Sequence, residues 1–139
     1  MSKQNKLHRQ RGNAMVEMAL TLTLFLTAIF SLFDFGWVLF YHQTLVHQAR
    51  TAARYGALNP GDLSGTQNMA IWSKTAQGTA AQAILGLQPA NVLVSRNGQG
   101  TNSDNISVTI SGYQYILITF GWAGTHTGKP ITVSMPVEN

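Results

Sequence analysis

The chain has no cysteine, so disulfide scaffolds, thiol nucleophiles and cysteine-ligated zinc or iron–sulfur sites are excluded. Acidic residues are nearly as scarce: Glu17, Asp34, Asp62, Asp104 and Glu138 are all there are in 139 residues. Charged residues of both signs make up only 10% of the chain, less than half the share usual for a soluble domain. Part of the molecule is therefore expected to face something other than water. Proline is rare too, and no glycine–proline break interrupts the sequence between Gly12 and Asn59-Pro60-Gly61.

The net charge of +4 is concentrated at one end. Lys3, Lys6, Arg9 and Arg11 lie in the first eleven residues, and from Asn13 onward five cations balance five anions. A nucleic-acid binder needs a basic patch on its folded face, and this chain has a basic leader instead. Catalytic groupings are equally thin. His8, His42, His47 and His126 are scattered, and the five-residue spacing of His42 and His47 keeps them off a common helix face. A catalytic serine would have to borrow His126 as its base without any supporting motif. No catalytic residue, metal ligand or cofactor is assigned, and an enzyme is not expected.

Met18–Phe33 (MALTLTLFLTAIFSLF) carries no charge. As a helix it reaches about 24 Å, and the flanking residues extend it past the ~30 Å hydrocarbon core of a bilayer. Phe33, Phe35, Trp37, Phe40 and Tyr41 form an aromatic belt at the far end. The cations before the span place the N-terminus in the cytoplasm and the rest across the membrane. An ordinary secretory signal would end in a small-residue cleavage site, and Asp34-Phe35-Gly36-Trp37 offers none. A core helix of a soluble protein is the other alternative, but a chain this small could hardly bury such a helix all round.

Glu17 and Asp34 stand at the two ends of the span, roughly 100° apart around the helix, so they do not act as a pair on one face. Ionisable residues at such positions are costly and usually functional. Thr27, Ser31 and Asp34 share a stripe. Their hydroxyls suit either contact with a neighbouring helix or bonds to carbonyls of their own helix.

Arg11-Gly12-Asn13-Ala14-Met15-Val16-Glu17 resembles the processing site of type IV prepilins, with a glutamate five residues after the glycine. Further on, Asp34-Phe35-Gly36 and Gln48-Ala49-Arg50-Thr51-Ala52-Ala53-Arg54-Tyr55-Gly56-Ala57 look like the TadE-like family of pilin-like proteins. The resemblance runs from Arg11 to about Leu58. Met18 departs from it, because an aromatic residue is commoner after the glutamate. The resemblance implies that a prepilin peptidase cuts between Gly12 and Asn13, leaving the apolar helix in place. It also implies a pilin-like fold and non-catalytic work in assembling a Tad (Flp-type) pilus. The implied partners are the prepilin peptidase, the major pilin and other pilin-like subunits, and an inner-membrane assembly platform, besides membrane lipid. Cleavage removes four cations from a segment destined for an apolar surround, and it leaves an ammonium on Asn13 that Glu17 can neutralise. The bland alternative for Glu17 is a side chain that snorkels to the headgroups.

The expected architecture is α+β and pilin-like. It comprises a basic leader (1–12), a transmembrane helix (13–41), its exported continuation (42–58) and a small periplasmic or extracellular α+β domain (59–139). One helix is read from about Ala14 to Ala57, with Thr27, Ser31, Gly36, Ala49, Ala52, Ala53 and Gly56 as its packing residues. Asn59–Thr66 reads as a turn-rich linker. A second helix is expected over Gln67–Leu85, with Met69, Trp72, Ala76, Ala80, Ala83 and Ile84 along one side.

From Asn91 the period changes to two, and it returns in Ile106–Ile110 and Ile131–Val137, giving a small antiparallel sheet with one face on the long helix. Pro136 marks the last strand as an edge. Tyr113–Trp122 (YQYILITFGW) is uncharged and apolar on both faces. It is either a strand or loop buried against the helix, or a patch built from Tyr115, Ile116, Phe120 and Trp122 that is covered on assembly. Two further roles stay open beside pilus assembly: a permanently anchored periplasmic module that never enters a fibre, and an adhesive tip using the Asn97–Asn105 loop.

Overall fold

In the computed structural model, residues 3–119, 121 and 123–137 are described, residues 3–12 by their backbone alone. The first helix, α1, runs unbroken from Lys3 to Leu58. Its start lies before the expected Ala14 and its end one residue past the expected Ala57. The hydroxyls of Thr21, Thr23, Thr27, Ser31 and Thr51 each donate to the carbonyl four residues earlier, at 2.8–3.0 Å. These polar side chains are thereby satisfied within the helix without any outside partner. α1 ends where the geometry of the next residues forbids continuation. Asn59 precedes Pro60, which disfavours helical backbone at Asn59, and the Asn59 N–H and side-chain amide both cap the Tyr55 carbonyl.

The second helix differs from its expected bounds at both ends. α2 spans Leu63–Trp72, so it begins inside the stretch read as a linker and stops well short of Leu85. Asp62 caps its N-terminus, accepting the Gly65 N–H at 2.8 Å. At the other end Ser73 turns left-handed (φ 53°) and its N–H closes on Met69 O. The chain then folds back over Trp72. The indole N–H donates to Thr79 O, Asn68 donates to Thr75 O, and Gly78 lies so close to the indole ring that a Cβ there would stand 2.6 Å from it. Gly78 is therefore a close-approach residue outside the helix. The alanines at 76 and 80 stay exposed and that at 83 is only half-buried; methyl groups at helical spacing buried too little surface to carry the helix onward. Three short 3-10 turns at Ala80–Gln82, Ile84–Gly86 and Pro89–Asn91 lead into the sheet.

The sheet follows the alternating pattern. β1 (Val92–Asn97), β2 (Asn105–Ile110) and β3 (Gln114–Leu117) come first, then β4 (Gly124–Thr127) and β5 (Ile131–Pro136). β1, β2 and β5 form an antiparallel sheet in the order β1-β2-β5, with Val94, Val108 and Val133 in one cross-strand row. β5 is an edge strand, as Pro136 requires. β3 and β4 pair in a separate hairpin. Ile106, Val108 and Ile110 are fully buried. The opposite face carries hydroxyl pairs, Thr109 with Thr132 and Ser107 with Ser134.

The described chain forms two compact units. One comprises the chain up to Trp37 together with Leu117–Gly124; the other comprises Val38–Ile116 and Thr125 onward. The second unit holds the core, in which Leu45, Ala49, Ala52 and Ala53 of α1 pack with Ala70, Ile71 and Trp72 of α2 and with the inner face of the sheet.

Candidate functional site

Two features of the first unit stand out. The first is the exposed apolar surface of α1. Among the described residues it is the one helix long and apolar enough to cross a membrane, and no part of its most apolar 18-residue stretch, of mean hydropathy 2.0, is buried. Leu20, Leu24, Leu32 and Phe33 all lie open. A side of a helix can be left unburied in this way only if another apolar medium or another chain receives it.

The second is Asp34, which is only 8% exposed. Its carboxylate is the acceptor for two consecutive backbone amides of the loop that joins β3 to β4. The Ile118 N–H is shared between both carboxylate oxygens at 3.0 Å, and the Thr119 N–H donates to Oδ2 at 2.6 Å. Thr119 is buried with it, whereas Ile118 projects outward, 71% exposed. One charged side chain thus fastens a loop some 84 residues away in sequence to the helix. Charge-assisted bonds of this kind are short and about twice as strong as neutral ones.

The other expected residues are distributed as follows. Asn13 and Glu17 are exposed on helical backbone; the Glu17 carboxylate has no hydrogen-bond or ion-pair partner among the described residues. Gly12 belongs to the part described by backbone alone. Thr27 and Ser31 bond their own helix, and Gly36 is exposed with open space around its α-carbon. Ala49, Ala52, Ala53 and Gly56 are buried within the second unit. At Gly56 a Cβ would lie 2.9 Å from Thr66 Oγ1 and 3.0 Å from Ile106, so the helix approaches both α2 and β2 here at a distance only glycine allows. Tyr115 is half-buried and stacks on His126 with ring centroids 6.0 Å apart. Ile116 is exposed, while Phe120 and Trp122 lie outside the described residues.

Two polar clusters of the second unit went unforeseen. Arg96 binds Asp104 through two bonds, at 2.9 and 2.5 Å, and also reaches Pro60 O. This pair closes the 98–104 loop, and the guanidinium holds the Asp104 carboxyl below the usual carboxylate range. Asp62 is held low in the same sense by the Gly65 N–H and then by the Tyr55 hydroxyl, whose own pKa it raises. A carboxylate directly ahead of Leu-Ser-Gly-Thr is a helix-start signal that could have placed α2 correctly. No comparable signal marks the partner of Asp34, because a backbone amide has no side chain to read.

Comparison with known proteins agrees with the resemblance read from the residues. Residues 12–54 match the family described as TadE-like protein. No curated protein and no solved structure matches the chain. The matched segment, under half of the chain, takes in Gly12 to Glu17, the exposed apolar stretch of α1, Asp34 and the start of the buried alanine-rich face, and over these residues the chain is similar to the TadE-like family.

Proposed function

We propose that the protein is a minor pilin or pseudopilin that takes part in initiating or capping a Tad (Flp-type) pilus, and that it works by assembly without catalysis. The observation that carries this reading is the combination of an unburied apolar helix with the Gly12-to-Glu17 motif at its start, inside the TadE-like match. A precursor anchored with its N-terminus in the cytoplasm and its C-terminal domain in the periplasm is cut after Gly12 by a prepilin peptidase. Residues 13–41 remain in the inner membrane, and residues 42–58 continue the helix into the exported domain. The mature helix then packs with the major pilin and other pilin-like subunits at an inner-membrane platform, with Glu17 set against the new ammonium of Asn13 on its own or a neighbouring subunit. Mass spectrometry of the protein from cells that contain the peptidase tests this: the expected species begins at Asn13, and a chain retaining residues 1–12 overturns it.

A second reading has its own supporting observation. Asp34 is engaged by the chain's own Ile118 and Thr119 amides, which suits a permanently anchored periplasmic module that never enters the fibre. Shearing separates the two: a fibre subunit is recovered with sheared pili, and a resident anchor stays with the membrane.

A further inference from the structure

We infer that the loop between β3 and β4 is a second membrane-contacting element, held by Asp34 so that Ile118 lies among the lipids of the outer leaflet. The inference rests on the reading of residues 13–41 as a membrane span.

As a helix those 29 residues measure about 43 Å, the thickness of a bilayer with its headgroups. Asp34 precedes Tyr41, at the outer end, by seven residues or about 10 Å. That depth is near the outer edge of the hydrocarbon layer, where an isolated carboxylate and unpaired backbone amides are both unfavourable. The structure resolves both problems with one contact. The carboxylate accepts the Ile118 and Thr119 amides, and the amides lose their need for water.

The composition of the loop suits the same surroundings. From Asn105 to Gly128 the chain contains no Asp, Glu, Lys or Arg. The Ile118 N–H is bonded to Asp34 while its side chain is exposed, and Phe33 and Phe35, which flank Asp34 in α1, are exposed too, so exposed apolar residues lie on both of the segments that this contact joins. Ile116 is exposed as well, so Ile118 is not a single scattered apolar residue but one of two within a charge-free run. Lipid is the occupant to which this continuity points, since the surface that the loop extends is the surface that the bilayer already covers.

The absence of cysteine makes a direct test available. Full-length protein carrying Ile118→Cys, Leu32→Cys or Ser95→Cys is labelled with a nitrobenzoxadiazole fluorophore. It is then reconstituted into phosphatidylethanolamine–phosphatidylglycerol vesicles whose lipids carry a doxyl quencher high on the acyl chain. The expected result is loss of most of the fluorescence at both Leu32 and Ile118, with no loss at Ser95. Quenching at Leu32 with none at Ile118 overturns the inference and leaves the span intact; no quenching at Leu32 overturns the span itself. Unquenched Ile118 in the labelled protein, together with disulfide-linked dimers when the unlabelled Ile118→Cys protein is oxidised in the same vesicles, assigns the surface to a second copy and also overturns the inference. Adding Asp34→Ala to the Ile118→Cys protein is expected to return the probe to water, seen as lost quenching and a red-shifted emission, while circular dichroism keeps the sheet signal. Unchanged quenching in that variant removes Asp34 from its positioning role.

Discussion

The stretch of α1 before Val38 and the stretch after it are parts of one uninterrupted helix, yet they meet the demand for apolar burial in opposite ways. Before Val38 large side chains point outward: Leu20, Leu24, Leu32 and Phe33 are exposed, and from Asn13 to Trp37 the one buried residue is the charged Asp34. After it the buried side chains other than Leu45 are small, with Ala49, Ala52, Ala53 and Gly56 drawing α2 and the sheet close. The difference shows that one backbone conformation can serve two solvents, and that side-chain size reports which. Small residues bring protein close to the helix axis, whereas bulky ones offer area to a medium that needs no shape of its own.

The sharpest way to break this comparison is to make the same deletion in both stretches. Leu45→Ala removes a fully buried side chain and is expected to destabilise the folded domain by about 2–5 kcal/mol. Leu24→Ala, at a site 75% exposed, is expected to leave the thermal unfolding of the domain in detergent unchanged. Equal shifts in Tm for the two variants would mean that the stretches do not differ in the way described.

Glycine provides a smaller contrast of opposite sign. Gly56→Ala forces a methyl group into Thr66 and Ile106, and the resulting overpacking, typically about 1–3 kcal/mol, outweighs a gain in helix propensity of roughly 1 kcal/mol. Gly36→Ala meets open space and keeps only the gain. Circular dichroism melts of the two variants in detergent should therefore move in opposite directions, downward for Gly56→Ala alone.

The smallest effect is the response to acid. Asp104 and Asp62 both have folded-state pKa values below their unfolded ones, so their contribution is fully present above the unfolded value of about 4 and is lost as pH falls through the folded values. Tm should hold steady from neutrality to about pH 5 and decline below it. The decline should be shallower in Asp104→Asn, which has no such proton to gain; an equally steep fall would move the acid sensitivity elsewhere.

Residues with a period could be read directly. The long helix, the three strands of the main sheet and the edge position marked by Pro136 are visible in the order of apolar and polar residues, because each has a face that must be buried. The same reasoning carried the second helix too far. Ala76, Ala80 and Ala83 have helical spacing but too little surface to hold a helix together, and the turn at Ser73 with the packing of Gly78 under Trp72 ended it. In the uncharged Tyr113–Trp122 stretch, pattern alone left burial and exposure both open. The structure divides the stretch residue by residue, burying Tyr113 and Thr119 and exposing Ile116 and Ile118.

The sequence by itself determined that this chain carries an apolar rod preceded by a basic segment and a small sheet domain, because hydrophobic area and its spacing are properties of side chains in order. Only the tertiary structure decided what Asp34 holds, where α2 stops and which small residues of α1 are already covered by the chain's own domain. Those outcomes depend on backbone amides and on distances between segments remote in sequence, and an amide donates the same hydrogen bond whatever residue bears it.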